Sequence, residues 1–193
     1  MLSKLMPSQQ LAYDELLDKL KQAGRRKKIL LLGRPQTGKS YLLQELARKN
    51  GFRYVNFTRE ILGDWLSERW LDSLSFQLFE AILRERVERS SRGQTILLDE
   101  VDSAVMLLTA GDRTLRQIFA RQFFALDHST PYILSTSVYS EPEMDQLMVG
   151  QAQRTVALRF TQADKMFVKE RFFNNVGLFK MAEISNLRQM FKP

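Results

Sequence analysis

The sequence predicts an α/β fold in which helices cover both faces of a parallel sheet, and three observations carry that prediction. Short, wholly apolar runs such as Ile29-Leu30-Leu31-Leu32 read as strands buried on both faces. These runs alternate with longer segments of helical periodicity, the pattern of crossover units that build parallel sheets. Between the first such strand and the helix after it lies a glycine-bounded turn, Gly33 to Gly38.

Taken in order, Ser8 is placed to cap a helix running to Ala23, with Leu11, Leu16, Leu17 and Leu20 on one side and Gly24 as its stop. A basic stretch, Arg25-Arg26-Lys27-Lys28, precedes the first strand. The residues from Lys39 to Lys49 read as a helix with Leu42, Leu43, Leu46 and Ala47 facing inward. Arg53 to Phe57 alternates as a second strand. Leu66 to Arg89 reads as a long helix with apolar residues on more than one face, which predicts that it is sandwiched. Thr95 to Leu98 is a third strand, Arg113 to Leu126 a helix, Tyr132 to Ser135 a fourth strand and Thr155 to Phe160 a fifth. Two short helices, Gln162 to Phe173 and Met181 to Phe191, follow.

Composition narrows the chemistry. The 193 residues, 44% hydrophobic and 26% charged, are those of an ordinary globular protein. No apolar run approaches the ~20 residues of a membrane span, and Met1 to Pro7 is too quickly interrupted for a signal peptide, so a cytoplasmic protein is expected. With no cysteine, disulfides and thiolate metal sites are excluded, and a single histidine, His128, argues against histidine-based metal or triad chemistry. The net charge of +7 raises the expectation of a polyanionic partner such as DNA.

Gly33-Arg34-Pro35-Gln36-Thr37-Gly38-Lys39-Ser40 fits G-x-x-x-x-G-K-[ST], the Walker A pattern, directly after a strand and at the opening of a helix. In that setting the loop N–H groups face phosphate oxygens and the helix start adds a favourable dipole; Tyr41 continues its first turn. Lys39 is the residue to reach the β- and γ-phosphates, and the Ser40 hydroxyl the one to ligate Mg²⁺. The third strand ends in two acids, Asp99 and Glu100, at the sheet edge where such phosphates lie. Asp99 is the candidate for the Mg²⁺ shell and Glu100 for accepting a proton from the attacking water; the bland alternative makes Asp99 a helix cap. The sequence lacks an Asn-Lys-x-Asp element of the kind that reads guanine, which favours ATP over GTP.

With these motifs in place the chain resembles an AAA+ ATPase, in places a clamp-loader small subunit. Leu98-Asp99-Glu100-Val101-Asp102-Ser103 is similar to that family's Walker B, and Tyr132-Ile133-Leu134-Ser135-Thr136-Ser137 to its sensor 1 strand, with Ser137 where the family generally has Asn. Gln153-Arg154-Thr155 and the strand after it are similar to the Ser-Arg-Cys segment, which makes Arg154 the matching arginine finger. Asn186-Leu187-Arg188-Gln189 resembles the sensor 2 stretch and points to Arg188. The resemblance implies a five-stranded sheet in the order 5-1-4-3-2, ATP with Mg²⁺, and a homo- or hetero-oligomer in which Arg154 serves a neighbour's ATP. It divides the chain into an N-terminal helix (1–24), an ATPase core (25–160) and an abbreviated helical lid (161–193). Gln36 departs from the usual third loop glycine, and Ser137 is shorter than Asn, which implies slow hydrolysis. The residues after Phe160 are too few for a full lid or a clamp-loader collar. In size and motif layout the chain also resembles the small P-loop protein of BREX-type phage-defence systems.

Two readings of the basic stretch Arg25 to Lys28 stand side by side: a solvated helix end, or a contact to a nucleic-acid backbone. Trp65 and Trp70 read as core or interface anchors rather than base-stacking platforms.

Overall fold

The structure, a computed structural model, describes residues 5–22, 27–63, 75–126 and 130–173. Five strands form the sheet: β1 (Lys28–Leu32), β2 (Arg53–Asn56), β3 (Ile96–Asp99), β4 (Tyr132–Thr136) and β5 (Thr155–Ala157). All are parallel and lie in the order β2-β3-β4-β1-β5, the order that the family resemblance implies. β1 lies between β4 and the edge strand β5, with Leu30 in register with both Leu134 of β4 and Thr155 of β5.

Alternation along the strands divides the core between two faces. Ile29 and Leu31 of β1, Leu97 of β3 and Ile133 of β4 pack under α1 (Pro7–Gln22) and α2 (Lys39–Asn50), against Leu16, Leu42, Leu43 and Leu46. Leu30, Leu32, Leu98 and Leu134 face the opposite way, against residues of α4 (Phe76–Ile82), α5 (Asp102–Thr109), α6 (Arg113–Ala125) and α7 (Glu141–Gly150). A short α3 (Phe57–Glu60) follows β2, and α8 (Gln162–Phe173) follows β5 and packs against α1.

Several expectations are corrected. Helix α1 begins at Pro7, so Ser8 lies inside it rather than capping it. Met6 takes the capping position, its carbonyl accepting from Gln10 N–H, with proline at the first helical position where no intrahelical bond is lost. Leu11 is 71% exposed; the face that α1 buries is Ser8, Gln9, Ala12, Tyr13 and Leu16. Phe57 ends β2 by starting α3, and β5 stops at Ala157, although Leu158 N–H still bonds to Leu32 C=O at 2.7 Å. The expected long helix from Leu66 falls partly outside the described residues. From Phe76 it runs as α4, then a π-helical stretch Leu83–Glu88, then a last turn Arg89–Ser91. It is not sandwiched: Gln77, Ala81, Arg84, Glu85 and Arg86 are exposed while Phe79, Ile82, Leu83 and Val87 are buried. Helices α5 and α7 were not expected. The helix expected over Met181 to Phe191 lies outside the described residues.

Candidate functional site

The loop after β1 lies at the carboxyl edge of the sheet, between the ends of β4 and β5. Gly33 is required by close approach: a Cβ there would sit 2.7 Å from Leu158 C=O. Gln36 holds the left-handed backbone that a glycine would adopt, with φ of +65°, a conformation costing a side-chain-bearing residue about 1 kcal/mol. Its side chain is exposed, so the substitution strains the backbone without crowding the loop. Thr37 closes the turn, its hydroxyl donating to Arg34 C=O at 2.9 Å. Helix α2 then starts at Lys39 with no side-chain cap and no acid in its first turn. The amides of a first turn have no intrahelical partner, so this end is arranged to meet an anion.

Lys39 is 7% exposed, and its ammonium donates to Gly33 C=O at 2.7 Å, Arg34 C=O at 2.9 Å and Ser137 Oγ at 2.7 Å. Burial pulls its pKa down, while the carboxylates of Asp102 and Asp99 pull it back up. The loop lysine and the acid of β3 therefore feel one another across the site. Asp99 is 1% exposed, and one of its oxygens accepts from Tyr54 Oη at 2.8 Å. That bond, after burial, helps push the Tyr54 phenol up to about 12. Glu100 follows Asp99 at the end of the strand, exposed, with φ of +55°; its carbonyl accepts from the Thr58 hydroxyl at 3.1 Å.

Ser137 lies where β4 leaves the sheet, and Asp102 fixes it there. Asp102 Oδ1 accepts from the Thr136 hydroxyl at 2.6 Å and from Ser137 N–H at 2.7 Å, which ties the start of α5 to the end of β4. Arg34, 71% exposed, pairs with Glu141 of α7 at 3.1 Å, and Arg159 pairs with the other Glu141 oxygen at 3.1 Å and with Asp145. Ser40 is half-buried in the first turn of α2, Tyr41 is 37% exposed one position on, and Pro35 is exposed.

The structure thus brings Gly33 to Tyr41, Asp99, Glu100 and Ser137 together. Arg154 is elsewhere. It precedes β5 at the amino edge of the sheet, its carbonyl accepting from Leu30 N–H and its guanidinium donating to Phe124 C=O at 3.3 Å over the Phe124 ring. It cannot reach the loop of its own chain. Arg188, Trp65, Trp70, Arg25 and Arg26 lie outside the described residues. Lys27 and Lys28 are 8% and 3% exposed, which corrects the picture of a fully solvated basic stretch.

Tyr54, Asp102, Gln9 and Glu141 contact this site without having been singled out from sequence. Asp102 lies within the Walker B-like segment, and nothing local in the sequence marks the other three. The side chains present that could hold a Mg²⁺ ion are the half-buried Ser40 hydroxyl and the buried Asp99 carboxylate, one oxygen of which is taken by Tyr54. A hydroxyl and one or two carboxylates, completed by water and phosphate, is how that ion is generally bound.

A phosphate-binding loop at the carboxyl edge of a five-stranded parallel sheet, facing two strand-end acids, defines a P-loop nucleotide-binding core. The model of the ATPase family associated with various cellular activities (AAA) matches residues 29–160, more than half of the 193-residue chain. The chain belongs to that family. A search of curated proteins gives no match. Among solved structures, AMPPCP-bound DnaA from Aquifex aeolicus is similar at 17% identity with a TM-score of 0.45, covering 96% of this chain. The chain spans 57% of that chain's length. No helix among the described residues is long and apolar enough to cross a membrane.

Proposed function

We propose that this AAA-family domain hydrolyses ATP with Mg²⁺, works as an oligomer, and is coupled to DNA. The observation that carries the reading is the buried Lys39, held between the loop carbonyls and Ser137 within electrostatic reach of Asp99 and Asp102. In this reading the loop amides and Lys39 hold the β- and γ-phosphates in place, and Ser40 and Asp99 hold the ion. Mg²⁺, when bound, would neutralise charge on the phosphates. Tyr54 keeps Asp99 oriented by donating to one oxygen and leaving the other available. Glu100 accepts the proton of the attacking water at its carboxylate. Arg154, out of reach of its own loop, serves a neighbouring copy, and Arg188 is the sensor 2 candidate.

The net charge of +7 supports a polyanionic partner, and the likeness in motif layout to the BREX-type P-loop protein supports a DNA-processing or phage-defence assembly as the setting. A second reading, an ATP-gated scaffold with little turnover, is supported by Ser137, whose hydroxyl is engaged with Lys39.

Mg²⁺-dependent ATP hydrolysis, measured with and without duplex DNA beside Glu100→Gln, tests both. Turnover that rises with DNA and vanishes in the variant supports the ATPase. ATP-dependent assembly without turnover selects the scaffold, and loss of both sinks the proposal.

A further inference from the structure

Helix α1 buries Ser8 and Gln9 near the loop, the first bonded through its backbone N–H and the second through its side chain. Gln9 is 3% exposed. Its amide nitrogen donates to Thr37 C=O at 3.4 Å and Gly38 C=O at 3.3 Å, while its amide oxygen accepts from Met6 N–H at 3.0 Å. The packing is tight: a Cβ on Gly38, where φ is +84°, would fall 2.1 Å from Gln9 Nε2. A glutamine lying across two consecutive loop carbonyls restrains the backbone that must present its N–H groups to phosphate.

One residue earlier, Ser8 N–H donates to Asp164 Oδ1 at 2.9 Å. Asp164 is fully buried, and its second oxygen accepts from Thr161 N–H at 2.6 Å and the Thr161 hydroxyl at 2.7 Å. Thr161 Oγ1 in turn accepts from Asp164 N–H at 3.3 Å, a reciprocal cap on the start of α8. The same carboxylate therefore closes the first turn of α8 and supplies an acceptor to a first-turn amide of α1 that has none within its own helix.

We propose that Gln9 is a positioning residue for the phosphate-binding loop and that Asp164 sets Gln9 in place, so that α8 is mechanically joined to the loop through the first turn of α1. The affinity consequence rests on the reading of the loop as a phosphate site; the brace itself does not.

Two readouts separate these. Hydrogen exchange over residues 33–40, measured on the whole chain without nucleotide, reports the brace. Gln9→Glu keeps the side chain's shape but replaces the donor with an acceptor facing two carbonyls, and Gln9→Met removes the donor without adding charge should the buried carboxylate unfold α1. Either variant is expected to speed loop exchange about tenfold and to raise the Kd for a fluorescent ATP analogue about fivefold to tenfold. Asp164→Asn is expected to shift both readouts the same way by a smaller factor and to add nothing in the Gln9→Met background. Unchanged loop exchange in both Gln9 variants overturns the brace, including the case where the melting temperature falls and the loop is unaffected. Additive effects of Asp164→Asn and Gln9→Met overturn the link to α8. Faster exchange in a chain whose wild type binds no ATP would leave the brace standing and remove the nucleotide reading.

Discussion

Lys39 and Lys27 are both buried lysines whose pKa values burial lowers, but they stand at opposite edges of the sheet in opposite company. At the carboxyl edge Lys39 faces Asp102 and Asp99, whose charges counter part of that lowering. At the amino edge Lys27 faces Lys19 and Arg154, which lower its pKa further. Lys19 has Glu15 as a partner at 3.1 Å, whereas Arg154 is exposed and bonds a backbone carbonyl. One edge is partly compensated by its carboxylates. The other sets cations around its lysine and exposes Arg154. Helix α7 joins them: Ser140 and Glu141 start it beside Arg34, and the chain passes from its end at Gly150 to Arg154.

The largest expected effect lies at the compensated edge. Lys39→Ala leaves Gly33 C=O, Arg34 C=O and Ser137 without their donor, and ATP binding is expected to fall below detection in a fluorescent-nucleotide titration, with Arg154→Ala unchanged in the same titration. If both variants lose binding equally, the division between the edges is wrong. Next comes turnover. Arg154→Ala and Glu100→Gln are each expected to lower ATP hydrolysis by about a hundredfold or more, and their mixture to regain a measurable part of it. Such rescue requires that one copy's arginine serve another copy's loop; mixtures no more active than either variant alone would place Arg154 outside the reaction.

A third effect concerns the connecting helix. Glu143 of α7 is 1% exposed and accepts from Arg116 at 2.7 Å and from Ser140 N–H at 2.8 Å. Burial pushes its carboxyl up, but the Ser140 and Arg116 bonds outweigh that and hold it below its usual range. Glu143→Gln is expected to cost about 3 kcal/mol at pH 7, read as a fall in melting temperature. Because the folded pKa is depressed, that stability is full above the unfolded value near 4.5 and is lost as pH falls through the folded one. The gap between wild type and variant should therefore narrow only in acid; a gap that persists unchanged at the lowest pH would assign the loss to packing. The smallest effect has the opposite sign. Lys27 binds its proton less well folded than unfolded, so Lys27→Met is expected to raise stability by about 1 kcal/mol or less at pH 7. Unfolding of the wild type releases less of this penalty as pH rises toward 10.5, and the advantage should shrink there.

What the sequence made legible was whatever depends on local pattern. The all-apolar β1 run, the G-x-x-x-x-G-K-S turn and the acids closing β3 are each contiguous, and the span Gln162–Phe173 of α8 was anticipated residue for residue. Helix α1 shows where this fails: apolar periodicity selects Leu11, but the loop-facing positions go to Ser8 and Gln9 because their partners are Asp164 and the loop carbonyls, far away in sequence. Helix α5 shows no single apolar face, because Met106 and Leu107 are exposed while Thr109 is buried, its hydroxyl bonded to Val105 C=O at 2.7 Å. Helix α7 carried a readable start, Ser140-Glu141-Pro142-Glu143, whose Ser and Glu cap one another. Only a motif singles out Arg154 in the sequence, and the register of β5 against β1 is what sets it at the opposite edge from its own loop.

The π-helical stretch Leu83–Glu88 has a consequence for how chains of this kind can vary in length. Arg89 N–H there reaches back to Arg84 C=O, so the turn holds a residue more than an α-helix needs to cover the same rise. Removing one residue from that stretch would tighten it to ordinary α-helix, while Arg92 and Gly93 beyond it, both with positive φ, still turn the chain into β3. A one-residue deletion there is expected to be taken up within the helix, leaving Asp99 and Glu100 in place at the end of β3.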